Sequence, residues 1–177
     1  PHPSVVFHRS PYLAVGGYQD HRWPEDYDLW LRMHQSGYRF AKVPEVLVYW
    51  RDYPERTSRN RKRYDREAFF EAKAYYLALG PLKDVEEVVI IGAGRVTRNR
   101  VAYLEEYGIK VAAFIDVDKN KIGQFIKDTP VIPPSGLSAF PEHIILSYVS
   151  NWGARDEIRT MLTEMGKIEG KDFFLCA

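Results

Sequence analysis

The run Val88-Val89-Ile90-Ile91-Gly92-Ala93-Gly94 constrains the fold of this chain more than any other stretch. A short block of β-branched apolar residues suits a strand buried on both faces, and the glycines behind it permit a tight turn into whatever follows. Arg95 to Tyr107 reads as a helix, and Lys110 to Ile115 as a second strand that ends at Asp116. A strand, a helix and a strand in that order form a crossover unit, which obliges the two strands to lie parallel. Beyond it the pattern predicts a loop over Pro130 to Pro134 and a third strand over His143 to Val149. An amphipathic helix then runs from Ala154 to Met165, closed by Gly166, and a terminal strand covers Asp172 to Cys176. Strands alternating with helices imply a parallel α/β sheet.

The first half has a different grammar, rich in aromatics and broken by Pro3, Pro11, Gly16, Gly17 and Pro24. A helix is expected over Pro24 to Gln35. Pro24 suits its first turn, Glu25, Asp26 and Asp28 complement the positive end of the dipole, Arg32 reaches Asp28 at i+4, and Gly37 supplies a left-handed cap. Phe40 to Arg51 reads as a strand after Pro44. A basic segment, Arg56 to Arg66, leads into a long helix with Tyr64, Ala68, Ala72, Tyr75, Tyr76 and Leu79 at helical spacing, which Gly80-Pro81 stops. The expected division is therefore residues 1–81 and 82–177.

With 177 residues, 25 Lys plus Arg against 24 Asp plus Glu, the chain is too balanced for its whole surface to grip nucleic acid. No nucleic-acid partner is expected, and any cationic contact, such as peripheral attachment to an anionic membrane through Arg56 to Arg66, must be local. The single cysteine, Cys176, excludes a disulfide framework and a cysteine zinc site and suits a cytoplasmic setting.

The acidic helix start carries more than helix chemistry. Gly16-Gly17-Tyr18, then Glu25-Asp26-Tyr27-Asp28-Leu29-Trp30-Leu31-Arg32, then Pro44-Glu45-Val46-Leu47-Val48-Tyr49-Trp50-Arg51 occur in order. This series resembles the acceptor-side half of bacterial family 2 glycosyltransferases, which have the GT-A fold. The resemblance implies inverting transfer of a sugar from a nucleotide sugar to an acceptor hydroxyl, on a glycan or a lipid-linked carrier, in the synthesis of cell-surface polysaccharide. It implies Asp26 as general base with Glu25 as its neighbour, Trp30 as an aromatic wall and Arg51 facing the leaving diphosphate. Many relatives place a His two residues after this Arg; here that position is Tyr53. The donor half of the family, with its D-x-D motif for Mg²⁺ or Mn²⁺, lies N-terminal to everything present. The divalent ion is therefore expected only in the complete enzyme, this piece alone is expected to transfer no sugar, and no metal ligand is assigned to Asp26-Tyr27-Asp28 or Asp116-Val117-Asp118. Carboxylates at a helix start also need no chemistry at all, since the dipole alone accounts for them.

The second half offers Gly92 and Gly94 as backbone donors to an anion at a helix start, with Asp116 where a ribose hydroxyl would be held. Thr97 stands at the third glycine position of the dinucleotide fingerprint. The segments Phe114 to Gly123, Pro130 to Ile132, Gly153 to Arg159 and Gly170 to Phe173 are similar to small Rossmann-like domains found in sugar acetyltransferases and as appendages of family 2 glycosyltransferases. The expectation is a Rossmann-like domain with at most an NAD-like or simpler phosphate ligand. Two other readings remain open: a dinucleotide-binding oxidoreductase or regulatory domain, and a non-catalytic interaction module.

Overall fold

The computed structural model describes residues 2–51 and 53–177. Among the described residues six α-helices and six strands follow in chain order: α1 (Arg9–Ala14), α2 (Glu25–Gln35), α3 (Thr57–Asn60), α4 (Arg66–Leu79), β1 (Glu87–Ile91), α5 (Arg95–Glu105), β2 (Lys110–Ile115), β3 (Phe125–Ile126), β4 (Thr129–Ile132), β5 (Ile144–Ser147), α6 (Ala154–Glu164) and β6 (Phe173–Leu175). The chain divides into two compact units, residues 1–72 and 73–177, and the division falls inside α4.

The first unit is helical. Among its described residues there is no β-strand. α2 begins on Pro24 and ends as its composition demands: Gly37 takes φ +83°, its N–H donates to His34 O and the Tyr38 N–H reaches back to Met33 O. That double closure is the Schellman arrangement, which needs a residue tolerant of the left-handed region. The expected strand over Phe40 to Arg51 is not formed. Val46 and Leu47 are largely exposed and Tyr49 is 92% exposed. β-propensity measures fit to a pleated, half-buried surface, and it is realised only where a neighbouring strand supplies the ladder. Arg63 lies in a 3-10 turn before α4 and turns to Asp20, at 2.9 Å, and to the carbonyl of His21.

The second unit is a six-stranded sheet of order β3-β4-β2-β1-β5-β6, parallel except for the β3–β4 hairpin. This is the α/β, Rossmann-like arrangement. One face is filled by Val89, Ile91, Ile115, Ile145 and Phe173 with Leu162 of α6 and Leu137. Val88 and Ile90, equally buried, alternate to the other side. The loop expected over Pro130 to Pro134 is in part strand. Val131 and Ile132 pair with Phe114 and Ile115 of β2, while Pro130 faces only the two-residue β3, where a missing N–H is tolerated. The chain proceeds from β1 outward through β2 and β4, then returns to the opposite side of β1 for β5 and β6. The strand order thus reverses beside β1, and the turn Gly92-Ala93-Gly94 leaves the carboxyl end of β1 at that switch point.

Candidate functional site

The glycine loop of the first unit is tied to α2 by one buried ion pair. Asp28 is 0% exposed, and its carboxylate accepts from Arg32 Nε at 2.8 Å and from Trp23 Nε1 at 3.0 Å, with His21 Nε2 at 3.4 Å. The same guanidinium donates to the carbonyls of Val15 and Gly17, the latter at 2.6 Å. Arg32 therefore bridges its own helix to the loop before it. Gly17, at φ +67°, lies against the Tyr12 ring, and a Cβ there would come within 2.8 Å of the Tyr12 hydroxyl. Only glycine lets the loop lie this close, and the result is a fixed position for Tyr18.

Three acidic residues open α2, and the structure gives them three environments. Asp28 is the structural one. Glu25 is occupied, since the Tyr64 hydroxyl donates to both of its oxygens at 2.8 and 2.9 Å and Arg63 lies 3.9 Å away. Burial first, then this hydrogen bond, raises the Tyr64 phenol above its ordinary range. Asp26 is about a quarter exposed. Its Oδ1 accepts the Tyr27 N–H at 2.8 Å, while Oδ2 faces the His2 ring, with Nδ1 3.9 Å away.

Beside Asp26 the aromatic side chains close into a ring. His2 and Tyr18 have centroids 5.5 Å apart, Tyr18 and Tyr12 5.5 Å, Tyr12 and Phe7 6.0 Å, Phe7 and Trp30 5.3 Å, and Trp30 and His2 6.2 Å. Trp30, expected one helical turn from Asp26, is thus brought to the same site through His2. Sequence reasoning missed His2, Phe7 and Tyr12, because five rings at irregular spacing leave no periodic signal; the one cue was the aromatic richness of the first forty residues. Arg51 is exposed, in the segment expected to be a strand.

Among the described residues no group of three or more His, Cys, Asp or Glu side chains is placed to hold a metal ion. Asp28 is consumed by Arg32, and Asp116 and Asp118 share Lys121 Nζ at 3.1 and 3.6 Å.

In the second unit Gly92 adopts φ +99°, and a Cβ there would approach the Val149 methyl at 2.9 Å and Thr97 Oγ1 at 3.0 Å. Thr97, in place of a third glycine, is buried beneath the turn. Gly94 is the residue before α5 and has open space around it. Asp116 does not wait at the end of β2 for a ligand alone. Its Oδ2 accepts the Ala93 N–H at 2.9 Å and its Oδ1 the Asp118 N–H at 2.9 Å. Burial raises its carboxyl, but the two backbone donors and Lys121 outweigh that and hold it below the usual range.

A depressed carboxyl contributes stability that is present above its unfolded value and lost as the pH falls through the folded one. The wild-type second unit should therefore lose stability more steeply than Asp116→Ala as the pH falls below the ordinary carboxylate range of about 4, and the variant should be about 1–3 kcal/mol less stable at neutral pH, as loss of a hydrogen-bonded charged acceptor implies. Denaturant melts of both proteins across that range check the sign and the size. Cys176, also in this unit, is buried with its thiol pushed up to about 12 by loss of solvent, which leaves no reactive thiolate near neutrality.

The fold is therefore α/β, with two carboxylates at the start of a helix beside an aromatic ring in one unit and a glycine turn at a sheet switch point in the other. No protein-family model matches the chain. Part of it is similar to the amylovoran biosynthesis glycosyltransferase AmsE of Erwinia amylovora, 43% identical over 47 residues, covering 27% of this chain and 18% of that protein. A second similarity is to a UDP-Gal:alpha-D-GlcNAc-diphosphoundecaprenol beta-1,3-galactosyltransferase of Escherichia coli, 35% identical over 75 residues, 42% of this chain and 26% of the other. An uncharacterized glycosyltransferase of Haemophilus influenzae is 38% identical over 50 residues, 28% of this chain and 18% of its own. The chain spans between about a fifth and a quarter of the length of these relatives. Part of it is thus related to glycosyltransferases. Among solved structures it is similar to RSP, a Rex-family repressor, at 19% identity and TM-score 0.41 over 54% of this chain and 48% of that one, and to RSP in complex with beta-NADH at 20% and 0.43 over 57% and 51%. Likenesses of that size carry no argument about ligand or activity. Among the described residues no helix is long and apolar enough to cross a membrane.

Proposed function

We propose that the first unit is the acceptor-side part of an inverting, GT-A-type glycosyltransferase and that Asp26 is its general base. The observation that carries the reading is the contrast at the start of α2: Asp28 is buried in an ion pair and Glu25 is held at both oxygens by Tyr64, while Asp26 keeps Oδ2 available at the edge of the aromatic ring. In the proposed reaction the acceptor hydroxyl attacks the anomeric carbon of the nucleotide sugar. A new C–O bond forms there as the bond to the diphosphate oxygen breaks, the nucleoside diphosphate leaves with the electron pair, and the hydroxyl proton passes to Asp26 Oδ2. Trp30 and its neighbouring rings offer an apolar wall for the acceptor sugar, and Arg51 is assigned to the leaving diphosphate, which a planar bidentate donor suits. The divalent ion that the resemblance implies finds no ligand set among the described residues, and no step is assigned to it. Glycan or lipid-linked acceptors are the proposed partners, with Arg56 to Arg66 as a peripheral contact to an anionic membrane. Exchanging Asp26 for Asn and Glu25 for Gln in the complete enzyme, and comparing turnover, tests the assignment.

For the second unit we propose a weak phosphate-bearing ligand at Gly92 to Thr97 and no hydride transfer. The placement of the turn at the switch point favours a ligand, whereas Asp116 already takes the Ala93 N–H and its charge opposes a 2′-phosphate. Titration of the chain with NAD, NADP, nucleotide sugars and inorganic phosphate should shift amides between Gly92 and Thr97 only at high ligand concentration, with NAD preferred over NADP. Micromolar NADP binding, or no shift at millimolar ligand, would overturn it.

A further inference from the structure

The aromatic ring contains a polar chain that the assignment of Asp26 leaves unexplained. His2 Nε2 lies 2.6 Å from the Tyr18 hydroxyl, and on its other side Nδ1 faces Asp26 Oδ2 at 3.9 Å, an electrostatic contact longer than a normal hydrogen bond. The imidazole is about two-fifths exposed and stands edge-on to Trp30, at 88°. Each neighbour limits what it can do. A carboxylate oxygen opposite Nδ1 favours a proton on that nitrogen, which leaves Nε2 as acceptor and makes the Tyr18 O–H its donor. Tyr18 is suited to that part: burial, then Tyr12 and the carboxylates of Asp26 and Glu25, keep its phenol protonated above the ordinary range. Tyr18 in turn is fixed by the glycine loop, since its N–H lies on the Tyr12 hydroxyl at 3.5 Å and Gly17 is anchored to Arg32.

We propose that His2 is a positioning residue for Asp26: Tyr18 sets its tautomer, and the electrostatic pull of its Nδ1–H on Asp26 Oδ2 favours the orientation that receives the acceptor's proton. The inference rests on the reading of Asp26 as base. Because Oδ1 is taken by the Tyr27 N–H, Oδ2 is the oxygen left to accept a proton, and a donor facing it keeps the carboxylate from turning away from the aromatic wall. Misplacement of a catalytic group by about 1 Å costs up to about 10²-fold in rate, so a residue acting only through orientation has an effect of that order.

Kinetics of the complete enzyme and tautomer measurement on the 177-residue chain test it together. His2→Ala should lower kcat by about 10- to 10²-fold with the donor KM unchanged. His2→Asn, which can still present an N–H, should retain more activity, and added imidazole should restore part of the loss in His2→Ala. Tyr18→Phe should give a smaller loss that does not add to that of His2→Ala. In the chain itself, nitrogen NMR of the His2 ring should show the Nδ1–H tautomer, shifting toward Nε2–H in Tyr18→Phe. An unchanged kcat in His2→Ala while Asp26→Asn is inactive overturns this inference and leaves the base intact; an active Asp26→Asn overturns the base and this inference with it. Additive losses, or an Nε2–H tautomer in the wild-type chain, overturn the positioning role.

Discussion

With Asp26 as the proposed base, Asp26→Asn is expected to lower kcat of the complete enzyme by about 10²- to 10⁴-fold while nucleotide-sugar binding stays near its wild-type value. The amide keeps the shape of the side chain and its acceptance of the Tyr27 N–H, so the local fold at the start of α2 is retained. What it loses is the ability to take a proton from the acceptor hydroxyl. Glu25→Gln is expected to cost less, because Glu25 already serves Tyr64 and Arg63 and its effect on the base is indirect. Steady-state kinetics with both substrates varied separate the outcomes. Near-normal kcat in Asp26→Asn with an inactive Glu25→Gln would reverse the roles, and activity in both would return the acidic pair to ordinary helix-start chemistry.

The second large effect is on stability rather than rate. Asp28→Ala should destabilise the first unit by about 3–5 kcal/mol, the range for removing one partner of a buried ion pair. The cost comes from what is left behind. Arg32, whose side chain is 14% exposed, would keep its charge without a counterion, and the buried Trp23 indole N–H would lose its acceptor. The carbonyls of Val15 and Gly17 depend on the same guanidinium, so the glycine loop should loosen together with α2. Thermal or denaturant melts give the size, and hydrogen exchange at residues 15–18 shows whether the loop opens with it. A loss below about 1 kcal/mol would mean that Asp28 is an ordinary surface-type pair.

Where local chemistry decides, the sequence was readable. The dipole carboxylates, the Asp28–Arg32 spacing and Gly37 place α2 within a residue of its observed limits, and the strand–glycine–helix grammar foretells the parallel arrangement of β1, α5 and β2. Where a distant partner decides, it was not. Phe40 to Arg51 has the composition of a strand, yet composition cannot supply a neighbour to pair with. β4 hides behind Pro130, Pro133 and Pro134 because its identity comes from β2, not from its own residues. The candidate site divides the same way. Asp26, Glu25 and Trp30 stand out on one helix, whereas the separate fates of the three carboxylates depend on Tyr64, Trp23 and His2, from 39 residues downstream to the opposite end of the unit. Asp116 follows the last residue of β2, a position legible from the strand pattern, but its hydrogen bond to Ala93 shows only in three dimensions.

A general base on the acceptor hydroxyl implies a single displacement at the anomeric carbon, and the stereochemistry of the product reads that directly. The anomeric configuration of the first product formed by the complete enzyme, followed by proton NMR before any equilibration, should be opposite to that of the nucleotide-sugar donor. Retention of the donor's configuration would contradict the account, since it would require a route in which Asp26 does not act as the base of a direct attack.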